Sequence, residues 1–203
     1  DRIVEDVKVG TTTATELLFM KYMMDSLRPG GRCGVIVPEG VLFGATGAHK
    51  ELRRQLIENN RVEAVMSLPG GVFQPYSGVK TSVLFFRRGG KTENVMFLHA
   101  DNDGYKMDAN HDTPVEADDM PRLAAAYRDR EAKLKVWSER DPKVEWAAPW
   151  WFADTFTLRA NGFNLSASRY RPMSQVQAAH QDPRELLAEL AAICQRRGVQ
   201  VDA

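Results

Sequence analysis

Nothing in the bulk composition of this sequence is biased enough to name a partner. Lysine and arginine total 27 and aspartate and glutamate total 27, so there is no excess of the sign that marks a free-standing, basic nucleic-acid module. A subunit whose partner supplies the basic surface escapes that objection. Cysteine is scarce: Cys33 and Cys194 stand far apart, with no second cysteine at a metal-ligand spacing. That pattern favours a reduced, cytoplasmic setting over a disulfide framework. No apolar run approaches the ~18 residues of a membrane helix, so no membrane partner is expected. The opening DRIVEDVKVG reads as neither a signal peptide nor an initiator sequence, and the chain is expected to be a piece of something longer.

Familiar chemical signatures are missing too. His49, His99, His111 and His180 form no zinc-type cluster, so no metal is expected. Asp101, Asp103, Gly104 and Asp108 lack the terminal bidentate glutamate of a calcium loop and read as a solvated acidic turn. Ser166 and Ser168 have no G-x-S-x-G setting. Gly30-Gly31 and Gly70-Gly71 read as turn glycines, and neither a G-x-G-x-x-G fingerprint nor a Walker sequence occurs. A nucleotide cofactor would therefore be held mainly by residues outside this chain.

What is present is a packed globular protein of 203 residues, 43% hydrophobic, with four tryptophans. Thr13-Ala14-Thr15-Glu16 reads as a capping box, opening a helix that is apolar on more than one face and stops at Pro29-Gly30-Gly31. The run Cys33 to Val37 predicts a strand apolar on both faces, as in a covered parallel sheet. A second helix is predicted over 47–59, with Leu52, Leu56 and Ile57 as its buried stripe, and a strand over Val62 to Leu68. Strand, helix and strand make a parallel βαβ unit. Thr81 to Phe86 then returns antiparallel beside the preceding strand, and Val95 to Leu98 adds a short one. The order is that of the closing half of an α/β sheet whose opening half is absent.

Beyond it, residues 100–121 form a polar, acidic excursion, and Arg122 to Val136 an amphipathic helix. A Trp-rich segment follows, then an irregular strap, NGFNLSASRYRP, at 161–172. Pro183 to Arg197 is a last helix whose stripe carries Leu186, Leu187, Leu190 and Ile193.

The most informative stretch is LPGGVFQPYSGVKTSVLFF, Leu68 to Phe86. A loop this rich in Pro and Gly runs over the surface, and aromatics held there usually touch something. Phe73 and Tyr76 are either turn residues folded back on the sheet edge or a stacking platform for a flat ring. Stacking a base on an aromatic is worth about 1–3 kcal/mol whatever the base. Lys80 is placed either to reach a phosphate or to cap a loop carbonyl.

Three segments, ELLFMKYMMDSLRPGGRCGVIVPEGVLFG, LRRQLIENNRVEAVMSLPGGVFQPYSGVKTSVLFF and NGFNLSASRYRP, resemble, in the family's order, the modification subunit of type I restriction–modification systems. Those subunits are S-adenosylmethionine-dependent DNA adenine-N6 methyltransferases. The resemblance implies the C-terminal half of a Rossmann-like methyltransferase sheet with an antiparallel last strand, plus a C-terminal helical tail. It implies boundaries at 1–100 (half of the catalytic domain), 101–172 (peripheral excursion, helix and strap) and 173–203 (helix for packing or partner docking). Phe73 matches the place of the aromatic that stacks on a flipped-out adenine, with Tyr76 second; flipping is needed because N6 is unreachable inside the stack. Lys80, Thr81 and Ser82 match the start of the following strand, with Lys80 and Thr81 as loop and DNA contacts. Pro38 and Glu39 match the turn at the catalytic edge, where α/β sheets place ligands.

The departures also count. The family's glycine-rich cofactor motif and its Asn-Pro-Pro-Phe tetrad are both missing. The parent protein is thus expected to methylate adenine in double-stranded DNA, together with a specificity subunit and a restriction subunit. The chain by itself is expected to be inactive. A competing expectation is an assembly module that binds the specificity subunit through the Leu186/Leu187/Leu190/Ile193 helix without catalysis. A third is a methyltransferase acting on a small molecule or a protein.

Overall fold

The computed structural model describes residues 12–172. Its centre is a five-stranded sheet: β1 (Arg32–Pro38), β2 (Asn60–Ser67), β3 (Thr81–Arg88), β4 (Asn94–His99) and a late strand β7 (Trp150–Asp154), in the order β1-β3-β2-β4-β7. Only β2 and β4 pair in parallel; β1/β3, β2/β3 and β4/β7 are antiparallel. The fold is therefore mixed α/β with a mostly antiparallel sheet. Strand β3 slots between β1 and β2, so the two strands of the expected βαβ unit run the same way without touching. Neighbourhood in sequence fixes direction across a helical crossover, but a later strand takes the ladder between them, with Leu84 opposite both Val35 and Val65.

Helices α1 (Thr15–Ser26) and α3 (Gly47–Asn59) and the short α2 (Glu39–Phe43) build one core cluster with one face of the sheet. Alternation sends Val95, Phe97 and Trp151 there, and Met96, Leu98, Trp150 and Phe152 to the other face, under α4 (Met120–Arg128). Truncating fully buried Leu84 to alanine costs about 3 kcal/mol. The expected helix over 122–136 is two helices, α4 and α5 (Arg130–Glu139), parted at Asp129. The acidic excursion carries a hairpin, β5 (Asp103–Tyr105) with β6 (Pro114–Asp118). Strand β7 runs into α6 (Thr155–Ala160), and the strap beyond it folds as a turn and α7 (Ala167–Tyr170). The described residues lie in one compact unit, and β7 completes the same sheet as β1 to β4.

The caps differ from expectation. Thr13 does not cap α1, whose N-cap is Ala14 without a side-chain bond. Side-chain caps are found on α3, where Thr46 Oγ1 accepts from the His49 amide, and on α6, where Asp154 Oδ1 accepts from the Thr157 amide (2.6 Å). Arg53, on the apolar stripe of α3, is buried without a carboxylate partner among the described residues. It donates instead to the carbonyls of Val41 (3.1 Å), Gly44 (2.9 Å) and Phe163 (3.0 Å), tying α2 to the strap.

Strand β1 lies at the edge of the sheet and is not covered on both faces: Val37 is buried while Ile36 is 50% exposed. The tail helix with Leu186, Leu187, Leu190 and Ile193 lies outside the described residues, as does Cys194. No helix among the described residues is long and apolar enough to cross a membrane.

Candidate functional site

Three strand ends converge at one edge of the sheet. The carboxyl ends of β1 and β2 and the start of β3 are brought level by pairing of Pro38 with Thr81 and of Ser67 with Ser82. The segment joining β2 to β3, Leu68 to Lys80, projects from this edge. It is stitched by short backbone bonds, Gln74 N–H to Gly71 C=O (2.9 Å) and both Tyr76 and Ser77 N–H to Phe73 C=O (2.9 Å each). Gly71 takes φ of +91°, a left-handed turn that a side chain would strain, and Gln74–Pro75 is cis.

The two aromatics of the loop are in different states. Val72 and Phe73 pack against the second core cluster, whose buried members include Met66 and Leu68, and leave Phe73 half-buried. Tyr76 is 93% exposed. A ring braced on one side loses little further freedom when a ligand stacks on it; a free ring must be ordered first.

Pro38 ends β1 and Glu39 opens α2, so the sequence-predicted turn does reach the same edge as the loop. Glu39 Oε1 accepts from Ser67 Oγ (3.3 Å) and lies 3.5 Å from Lys80 Nζ, while the Glu39 amide donates to the Lys80 carbonyl (3.1 Å). Lys80 is thus engaged in an ion pair, not extended alone. The Thr81 hydroxyl is buried with no hydrogen-bond partner among the described residues, and a buried orphan of this kind calls for a ligand or a water. Sequence reasoning missed Ser67, and also His99, which ends β4 at this edge with Nε2 3.1 Å from Asp101 Oδ1. Only the position of each at the end of an apolar run signals it.

The opposite end of the sheet holds a second polar cluster. A bulge between Val62 and Ala64 turns Glu63 toward α4 and α5, and its side chain is 1% exposed. Its carboxylate accepts from Tyr127 Oη (2.6 Å) and faces Arg130 (3.2 Å), Arg32 (3.6 Å) and Arg87 (3.6 Å). Burial pushes this carboxyl up, but the Tyr127 bond and the charges of Arg130, Arg32 and Arg87 together hold it below its ordinary value. Cavities of about 400 Å³, lined by Asn94, Arg140 and Tyr170 among others, and about 300 Å³, lined by Lys21, Asn60 and Arg88, also lie toward this end.

The sheet is thus mixed, with an antiparallel strand inserted between two like-directed ones and an aromatic loop at its carboxyl edge. The chain matches the N-6 DNA methylase family over residues 1–179 and belongs to it. It is 38% identical over 96 residues to the type I restriction enzyme EcoEI methylase subunit of Escherichia coli, covering 47% of this chain and 19% of that protein. It is 41% identical over 81 residues to the EcoKI methylase subunit of strain K12, covering 40% and 15%. A chain from a type I R-M system, solved to describe complex assembly and conformational transition, superposes with a TM-score of 0.63 at 29% identity, covering 92% of this chain and 38% of that one. The EcoKI M protein shares the fold with a TM-score of 0.55 at 22% identity, covering 95% and 46%. The chain thus spans less than a fifth of those curated relatives and less than half of those solved chains.

Proposed function

We propose that the chain is part of a type I modification subunit that transfers a methyl group from S-adenosylmethionine to adenine N6 in double-stranded DNA. The observation that carries this reading is the loop at the carboxyl edge, which holds Phe73 braced on the core and half-open, in a chain of the N-6 DNA methylase family. Phe73 serves as the platform for an extrahelical adenine and Tyr76 as a second ring reached once ordered. Lys80 and Thr81 are the loop's contacts to the DNA, and Pro38–Glu39 shapes the edge.

The described residues do not compose a cofactor site on their own. The strand-to-helix turn at this edge opens on Pro38, without a glycine-rich cradle, and the Glu39 carboxylate is already engaged by Ser67 and Lys80. S-adenosylmethionine and the groups that hold the adenine amine belong to other residues of the parent protein. The outer edge of β1, unpaired among the described residues, supports this reading, since it is left for a sheet to continue. In the parent, the chain works with a specificity and a restriction subunit, and the Leu186/Leu187/Leu190/Ile193 helix is its docking element. By itself it transfers nothing. The test is labelled-methyl transfer to DNA by the parent subunit with its specificity partner. Methyl on adenine N6, lost in Phe73→Ala, is the expected outcome. Transfer only to protein or small molecules would overturn the proposal.

A further inference from the structure

We infer that Glu39 is a positioning residue that sets the resting place of the base-facing loop. One residue ties three strand ends. Its carboxylate meets Ser67 at the end of β2 and Lys80 before β3, and its amide holds the Lys80 carbonyl, while Glu39 itself continues β1. Ser67 and Lys80 flank the two stems from which the loop rises. The turn bonds at the loop's tip run within residues 71–79 and set its internal shape, while Leu68 N–H donates to the Thr81 carbonyl (3.1 Å) and closes its base. Above that base, orientation falls to the packing of Val72 and Phe73 on one side and to the Glu39 clamp on the other.

The geometry suits holding and not chemistry. Oε1 is committed to two neighbours, and the Lys80 contact at 3.5 Å is a charge contact beyond ordinary hydrogen-bond length. A half-exposed pair of this sort is weak. It biases where the loop rests and gives way when Lys80 meets a stronger anion such as a DNA phosphate.

This inference rests on the base-facing role proposed for the loop, and its test has an arm that does not. Hydrogen exchange is followed on the amides of 71–79 in the wild type and in Glu39→Gln, which removes the charge but keeps a hydrogen-bonding oxygen. Exchange of these amides is expected to quicken about threefold, the scale of a half-exposed ion pair, with β1 and β2 unchanged. In the parent subunit with its specificity partner, kcat/KM for DNA falls by about the same factor, and the KM for S-adenosylmethionine holds. Lys80→Gln matches the exchange effect but loses more kcat/KM for DNA, since it also removes the phosphate contact; the double variant is no worse than Lys80→Gln alone, because both act through one contact. Glu39→Asp recovers part of the loss. Unchanged exchange in 71–79, an even rise across the sheet, or multiplied losses in the double variant would overturn the positioning role. If the wild-type parent methylates no DNA, the functional reading fails while the exchange arm still decides the clamp.

Discussion

The two ends of the sheet are each held by a glutamate, in opposite ways. At the amino end of β2, Glu63 is buried and shared by three arginines and a tyrosine. At the carboxyl end, Glu39 is partly exposed and shared by one lysine and one serine. A buried carboxylate is tolerable only when fully partnered, and removing it strands its partners; a half-exposed one can be lost because water replaces it. The difference marks the Glu63 end as structural and, on the proposed function, leaves the Glu39 end free to yield to a ligand.

The largest expected effect that sharpens this contrast is Glu63→Gln. Breaking so buried a cluster should cost about 3 kcal/mol, read as a lower midpoint in urea unfolding with an unchanged slope. A loss under about 0.5 kcal/mol would put both ends in the same class. The cost should also depend on pH with a definite sign. The folded Glu63 carboxyl lies below its ordinary value of 4.5, so its contribution is complete above that pH and fades as pH falls through the lower folded value. Melting curves of wild type and Glu63→Gln should run apart at neutral pH and converge below pH 4.5.

Next in size is Phe73→Ala in the parent subunit. Loss of one base–ring stack predicts about tenfold weaker binding of DNA carrying an extrahelical adenine, measured by fluorescence titration with 2-aminopurine at the target. Stability should drop by only about 1 kcal/mol, since the ring is half-buried. The smallest effect belongs to Tyr76→Ala, expected within about 0.5 kcal/mol on stability because the ring is almost wholly in solvent. A larger loss of DNA binding from Tyr76→Ala than from Phe73→Ala would exchange the two rings' roles.

Much of the fold is legible in the sequence where punctuation is strong. The helix over 47–59 appears with those bounds because Gly47 and the Asn59-Asn60 pair frame its stripe. Strands β1 to β4 appear because each is a short apolar run between turn residues. Strand β7 was hidden in a Trp-rich segment, since tryptophan signals burial without signalling direction. Arg53 and Glu63 were also illegible. A charge reads as solvent-facing until three carbonyls, or three guanidiniums, are seen converging on it from other elements of the fold.

The loop itself shows the same division. Sequence alone determined that Phe73 and Tyr76 sit on a Pro- and Gly-rich excursion between two apolar strands, because those residues cannot continue either a helix or a ladder. Only the tertiary structure decided which ring is braced and which is free, and that Glu39 reaches Lys80 and Ser67. Those facts depend on β3 pairing with both β1 and β2. Long-range pairing is selected by burial of the whole sheet, and that free energy is not written in any local stretch of sequence.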